Sequence, residues 1–124
     1  MISFYFIGHN YEYEVRNALR VFDSNIKYEV KDIGTFTGKG LSIKTCLEEV
    51  SEDIYAWASL YKENQLLYES KFSKKDILLE KYSLKKLKKT LVVKSIHNVL
   101  KPYYNVDPDY GILTGVRVVK ILLV

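Results

Sequence analysis

Cysteine and histidine are scarce in this chain, which has one cysteine and two histidines among its 124 residues. A lone thiol, Cys46, can form neither an internal disulfide nor a multi-thiolate metal site, so we expect a protein of a reducing compartment. Neither His9 nor His97 has a second histidine, cysteine or carboxylate at ligand spacing, and we therefore predict no metal site. Proline and glycine are also sparse, at two and six residues, which excludes collagen-like and low-complexity chains.

Long apolar runs are missing as well. No stretch approaches the roughly 20 residues that a membrane-spanning helix requires. The N-terminal segment MISFYFIG has neither a basic leader nor a cleavage site, as a secretory signal peptide would. We therefore expect a cytoplasmic protein with no membrane partner.

The residues that are present fit one globular domain, because 48% are hydrophobic and 27% are charged, close to globular averages. The formal net charge is +4, and residues 74–101 hold nine lysines. Four of these lysines form a basic face: Lys85, Lys86, Lys88 and Lys89. Such a cluster can follow phosphates, but neither an arginine fork nor a glycine-rich anion nest accompanies it. A solvated helix face is therefore the favoured interpretation.

Hydrophobic periodicity predicts a strand, a helix, further strands that include a meander, and then a long helix, with no alternation that would demand a parallel sheet. Period-two patterns indicate strands in the segments 2–7, 26–33, 41–48, 54–61 and 66–72. Helical spacing indicates a first helix from an Asn10 N-cap to about Asp23, and a long helix from Ser83 to Leu100 that Pro102 stops. Ser73 with Asp76 has the pattern of a capping box. We predict an α+β fold, with an antiparallel sheet of four to five strands and both helices packed on one face.

The segment GTFTGKG, with glycines at 34, 38 and 40, could suggest a phosphate-binding loop. Its spacing matches neither a Walker loop nor a dinucleotide-binding fingerprint. We interpret it as a hairpin or crossover connection.

The strand predicted at 54–61 is apolar or aromatic on both faces. Tyr55, Trp57 and Tyr61 occupy one face, opposite a face of aliphatic residues. Such a strand is either central in a sheet or covered on its outer side. Loops or the chain's own tail could cover the rings, or the rings could dock against another domain. A homodimer through this aromatic face is a third hypothesis.

Residues 111–117 read GILTGVR, which resembles the GILTGIRPTK segment near the N-terminus of oxygen-independent coproporphyrinogen III oxidase-like radical SAM proteins, the coproporphyrinogen dehydrogenases. Val118 and Val119 stand where that family tends to have Pro-Thr, so the first helical turn lacks its preset proline here. The resemblance implies a catalytic barrel downstream, whose CxxxCxxC cysteines hold an iron-sulfur cluster and cleave S-adenosylmethionine in haem biosynthesis.

Cys46 matches no position of that cysteine motif, so no catalytic, cofactor or metal residue is carried over to this chain. The resemblance implies that residues 1–108 form an accessory domain and that 109–124 begin the connection to the barrel. The aliphatic residues 121–124 would then pack on that barrel. We expect docking on it through four residues of the motif as well as the aromatic face: Gly111, Thr114, Gly115 and Arg117.

A small RNA-binding module is the alternative function, because basic helices and aromatic strands occur together in sheet platforms that stack bases. Nucleic acid is nevertheless the less favoured partner. The two hypotheses differ in geometry: if Trp57 lies on the sheet face opposite the lysines, one strand cannot contact both sets.

Overall fold

The computed structural model describes residues 1–77 and 83–106. Its elements, in chain order, are strand β1 (Ile2–Ile7), helix α1 (Glu12–Phe22), strands β2 (Tyr28–Lys31), β3 (Leu41–Val50), β4 (Asp53–Lys62) and β5 (Gln65–Ser73), and helix α2 (Leu84–Tyr104). Short 3-10 helices occupy Ile33–Thr35 and Lys74–Asp76. The predicted connection at 109–124, including the GILTGVR motif, lies outside the described residues.

The strands form one sheet in the order β2-β1-β3-β4-β5. Strand β1 pairs in parallel with both β2 and β3, whereas β3, β4 and β5 form an antiparallel meander. The predicted α+β class is confirmed, with five strands and two helices in the part of the chain that the structure describes. The sheet is mostly antiparallel but mixed. The connections through α1 and through residues 32–40 each return the chain to the end of the sheet at which β1 begins, so β2 and β3 run parallel to β1.

Both helices pack on one face of the sheet, as predicted. The side chains that face them alternate along β1, β3 and β4, so that Phe4, Ile43 and Leu60 lie in one row across the three strands. Each of these three residues is completely buried. The buried stripes of the helices complete the core, with Val15, Ala18 and Leu19 from α1 and Leu87, Leu91, Val92, Ile96, Val99 and Leu100 from α2.

The start of α1 differs from the prediction of an Asn10 N-cap. Tyr11 is the N-cap residue, and no side chain makes a cap hydrogen bond to the helix. Asn10 contributes its backbone carbonyl, which accepts from the Glu12 N–H at 2.8 Å. The side chain that orders this turn is His9, whose Nδ1 accepts from the Tyr11 N–H at 3.1 Å.

The end of α2 also differs, because the helix continues through Pro102 to Tyr104. Tyr103 and Tyr104, which lie beyond the predicted stop, are therefore helical. Proline removes one N–H donor, but the last turn is held by packing, since the Tyr104 ring stacks on Phe22 at 6.0 Å. Asn105 then ends the helix in the left-handed conformation, with its N–H bonded to the Lys101 carbonyl, as is common at helix C-termini.

Other predicted boundaries are confirmed. Ser83 caps α2, accepting from the Lys86 N–H at 3.2 Å, and Ser73 with Asp76 forms a reciprocal capping box, here on a 3-10 helix. Within the described residues, no helix has the length and apolar character needed to cross a membrane.

Candidate functional site

The sheet face opposite the helices, called the open face below, carries the aromatic residues singled out in the sequence. Because Ala56, Ala58 and Leu60 of β4 point into the core, Tyr55, Trp57 and Tyr61 point to the other side. All three are half-buried. The structure therefore places the predicted docking residues of β4 together on a surface that the helices do not cover.

One end of the open face is covered by the chain itself. Residues 32–40 carry the chain from the end of β2 back to the start of β3, and Phe36 of this segment packs edge-on against Tyr5 and Tyr61, with ring centroids 5.0 Å from each. The ammonium of Lys44 lies 4.5 Å from the centre of the Phe36 ring and 5.2 Å from that of Tyr61. Tyr61 thus belongs to a cluster that the chain completes internally.

The glycine-rich segment acts as this crossover, in agreement with the interpretation from sequence. Its backbone meets the β4–β5 turn, where the Asn64 N–H donates to the Gly38 carbonyl at 2.8 Å. Gly38 has a φ of +76°, and a Cβ there would lie 3.3 Å from the Asn64 Cα. The glycine therefore serves a close backbone approach.

The other end of the open face is centred on Trp57, which lies between Cys46 of β3 and Lys71 of β5 in the strand register. A groove of about 370 Å³ opens here, lined by Trp57, Ser59, Glu69, Ser70 and Lys71. The Lys71 ammonium lies 4.7 Å from the centre of the Tyr55 ring, a cation–π geometry. This Trp57 end presents two rings and one cation with no covering loop among the described residues.

Two titratable groups at the Trp57 end have raised pKa values, which keeps both neutral at physiological pH. The Asp53 carboxylate charge raises the pKa of the Tyr55 hydroxyl, which donates to Asp53 Oδ2 at 3.3 Å. Burial, and secondarily the charge of Glu48, raise the pKa of the Cys46 thiol. A thiol of this kind is a poor nucleophile. The Trp57 end therefore has the chemistry of a contact surface rather than of a reactive centre.

A second groove, of about 680 Å³, lies beside β1 and β2 and is lined by Ser3, Tyr5, Glu29, Lys31, Asp32, Thr35, Thr37, Lys39 and Gly40. Two of its four charged side chains, Glu29 and Lys31, pair with each other. Glu29 accepts a hydrogen bond from Ser3 at 3.0 Å and lies 3.7 Å from the Lys31 ammonium. Neither sign of charge dominates this groove, so it selects no obvious ionic ligand.

The basic face lies on α2, on the covered side of the sheet. Two of its lysines are tied to neighbouring elements, Lys88 to Glu49 at 3.2 Å and Lys89 to Glu14 at 3.1 Å. Lys85 and Lys86 are exposed near the start of the helix. The sheet thus separates these lysines from Trp57, and the structure does not bring the two predicted sets together.

The four docking residues predicted from the motif, Gly111, Thr114, Gly115 and Arg117, lie outside the described residues. Conversely, two residues were missed in the sequence. Phe36 could have been noticed as a large apolar residue inside a polar, glycine-rich loop. His9 lies in the short turn between β1 and α1, where a partly buried ring can accept a hydrogen bond from turn backbone.

The His9 ring lies between the rings of Phe6 and Tyr11, with centroid distances of 4.9 and 5.3 Å. Since its Nδ1 accepts from Tyr11, its Nε2 carries the proton and donates to Thr45 Oγ1 at 3.0 Å. Burial lowers its pKa to about 4, against an opposing hydrogen-bond contribution from Thr45. The neutral His9 imidazole therefore links β1, α1 and β3 through its ring contacts and hydrogen bonds.

In the ranges 1–77 and 83–106, no three side chains of the metal-binding types come together as a metal centre. Comparisons of the chain with models of protein families, with characterised proteins and with solved structures found no match.

Proposed function

We propose that this chain is a non-catalytic docking domain, and that its partner is the catalytic barrel of a coproporphyrinogen III oxidase-like radical SAM enzyme of haem biosynthesis. The observation that supports docking is the Trp57 end of the open face. The identity of the partner rests on the resemblance of residues 111–117 to the early motif of that family. In this proposal the domain stabilises the barrel or shields its substrate entrance.

The Trp57 end has the properties of an interface centre. Trp57 and Tyr55 are rigid, amphipathic side chains of the kinds that dominate binding energy in protein interfaces. Lys71 and Asp53 flank the rings and supply a polar rim. A partner that covers Trp57 would remove its remaining apolar surface from water at about 25 cal/mol per Å², without having to break a tightly packed core.

The barrel, rather than this chain, would carry the chemistry. Its iron-sulfur cluster and S-adenosylmethionine would bind to residues of the barrel and not to residues 1–124. What this chain would contribute is a preformed surface, because the sheet behind Trp57 is fixed by a closed core. Cys46 has no role in this proposal, since its thiol is buried beside Trp57 and its pKa is raised.

The RNA-binding alternative receives less support from the geometry. An RNA strand stacked on Trp57 would lie across the sheet from the basic face on α2, and two of those four lysines already pair with carboxylates. This alternative would be supported if the chain bound single-stranded RNA with an affinity that falls steeply with salt and is lost in Trp57→Ala.

The first test is to read the codons that follow Val124 in the gene. Three cysteines in CxxxCxxC spacing within the next hundred or so residues are expected. A reading frame that continues into an unrelated domain, or that stops, would overturn the proposed partner while leaving the docking surface open to another one.

The second test measures binding between residues 1–124 and the separately expressed downstream domain by titration calorimetry. Trp57→Ala is expected to weaken binding by about tenfold to several hundredfold, as for a central interface aromatic. Tyr13→Ala is the matched control, because Tyr13 is a well-exposed aromatic residue on α1, far from the open face. Equal effects of the two variants, with unchanged melting temperatures, would contradict docking through Trp57.

A further inference from the structure

Strand β5 is an edge of the sheet, and its outer side has no strand partner among the described residues. The strand is long for an edge, with nine residues, and most of it is exposed. Natural proteins usually shorten, bend or cover such edges, because unpaired backbone groups recruit other strands. One irregularity interrupts the pairing with β4 near Leu60 and Tyr61, which leaves the segment 68–73 in regular register.

The sequence of this regular segment is self-complementary about Ser70. It reads Tyr68, Glu69, Ser70, Lys71, Phe72, which is aromatic, acidic, small, basic and aromatic. If two copies of this segment pair antiparallel with Ser70 opposite Ser70, a residue before Ser70 in one copy faces the residue equally far after Ser70 in the other. Glu69 then faces Lys71 of the second strand, and Tyr68 faces Phe72, twice each because of the two-fold symmetry.

The sheet faces agree with this pairing. Glu69 and Lys71 both lie on the open face, opposite Ser59 and Trp57 of β4, whereas Tyr68 and Phe72 lie on the helix side, opposite Leu60 and Ala56. Charges would therefore meet charges on one side, and rings would meet rings on the other. Opposite charges and aromatic pairs directly across an antiparallel ladder are both stabilising.

The geometry points to an antiparallel β5–β5 homodimer, in which two copies of this chain join their sheets edge to edge about a two-fold axis at Ser70. Tyr68 is 39% exposed in one copy, and its ring would cover the partly buried Phe72 of the other. Lys71 is exposed, and rotation about its flexible stem carries the ammonium from the Tyr55 ring to the outer edge. The interface is small, so the dimer dissociates on dilution.

The partner is a second copy rather than an unrelated strand because the pattern is self-complementary. An arbitrary edge strand would have no reason to alternate acid and base about a central small residue. This dimer does not depend on the proposed function, since it uses the β5 edge and leaves Trp57 accessible.

The test is a charge-swap series followed by sedimentation equilibrium over a wide concentration range. The wild-type chain is expected to dimerise reversibly. Glu69→Lys places lysine opposite lysine, and Lys71→Glu places glutamate opposite glutamate, so each single variant should dimerise about 10- to 100-fold more weakly. The double variant E69K/K71E restores both pairs and should recover wild-type association.

A mixture of the two single variants gives the sharpest result. One copy then carries lysines at both positions and the other carries glutamates, so a heterodimer should form where neither variant self-associates. Lys85→Glu is the control for Lys71→Glu, because it makes the same change in net charge at an exposed position of α2 and should leave association unchanged.

Three outcomes would overturn the inference: a monomeric wild-type chain at millimolar concentration, dimerisation that both single variants retain, or a mixture that fails to associate. Circular dichroism shows whether each variant is folded. A dimer that is lost in Trp57→Ala, yet retained in the charge variants, would place the contact on the aromatic face instead.

Discussion

His9 should make the folded chain less stable in mildly acidic solution. Its imidazole is partly buried between Phe6 and Tyr11 and is held as the neutral tautomer, with Nδ1 accepting from Tyr11 and Nε2 donating to Thr45. A second proton would have to go on Nδ1, where it would face the Tyr11 N–H and break that hydrogen bond. Protonation therefore costs both desolvation and a turn contact.

The sign and size follow from the pKa. The ordinary value is 6.5, and burial lowers the pKa of folded His9 to about 4, so the unfolded chain binds more protons between these values. The contribution of neutral His9 to the free energy of unfolding is fully present above pH 6.5. It falls as the pH drops through this window and is lost below about pH 4. The difference between these two pKa values corresponds to at most about 3.4 kcal/mol. Because the ring is only partly buried, we expect about half of that after solvent screening.

The assay is urea unfolding of the wild-type chain and of His9→Gln at pH 7.0 and at pH 4.5. Glutamine retains an amide that can donate to Thr45 but takes up no proton. The carboxylates contribute equally to both proteins, so the difference in pH dependence isolates His9. The wild-type chain should lose about 1–2 kcal/mol more than the variant on acidification. Identical pH dependence of the two proteins, or a histidine titration by NMR at or above pH 6.5 for His9, would refute this reasoning.

Two further substitutions test the turns that fix the sheet. Gly8→Ala should destabilise the protein by about 3 kcal/mol or more, because Gly8 has a φ of +77° and a Cβ there would lie 2.1 Å from the Leu47 carbonyl oxygen. Thermal unfolding measures this loss, and a melting temperature within a degree of the wild type would contradict it. Glu63→Asn should stabilise the β4–β5 hairpin by about 0.5 kcal/mol, because Glu63 has a φ of +51° that asparagine adopts more readily. Urea unfolding measures this gain, and an unfolding midpoint at lower urea concentration than that of the wild type would contradict the turn geometry.

The elements of this fold could be predicted from the sequence because each one has its own hydrophobic period. Alternation at Ile2, Phe4 and Phe6 and helical spacing through Val15 and Leu19 report burial directly. The parallel pairing of β1 could not be predicted in this way. Its pairing with β3 depends on a crossover at 32–40 that has a 3-10 turn but no α-helix, and period-two patterns do not show the direction of the neighbouring strand.

The misplaced helix ends have a common physical cause. Asn10 and Pro102 are strong local signals, but each lies beside aromatic residues that pack over a longer range. At Asn10 the partly buried His9 imidazole, which a hydrogen bond to Thr45 of β3 holds in place, accepts the helix-start N–H of Tyr11. At Pro102 the stacking of Tyr104 on Phe22 holds one further turn. Tertiary contacts overrode the local preference in both places.

The candidate site could be predicted only in part, because side-chain alternation shows which residues share a face but not what covers them. Phe36 divides the open face into an end that the chain closes over Tyr61 and an end that remains uncovered around Trp57. The uncovered end adjoins the β5 edge, and Lys71 is common to them, because it lies on β5 and its ammonium faces the Tyr55 ring. Two different partners could therefore bind side by side, one over the rings and one along the edge. Trp57→Ala should weaken only the contact over the rings, whereas loss of self-association in Glu69→Lys and its recovery in E69K/K71E report the contact along the edge.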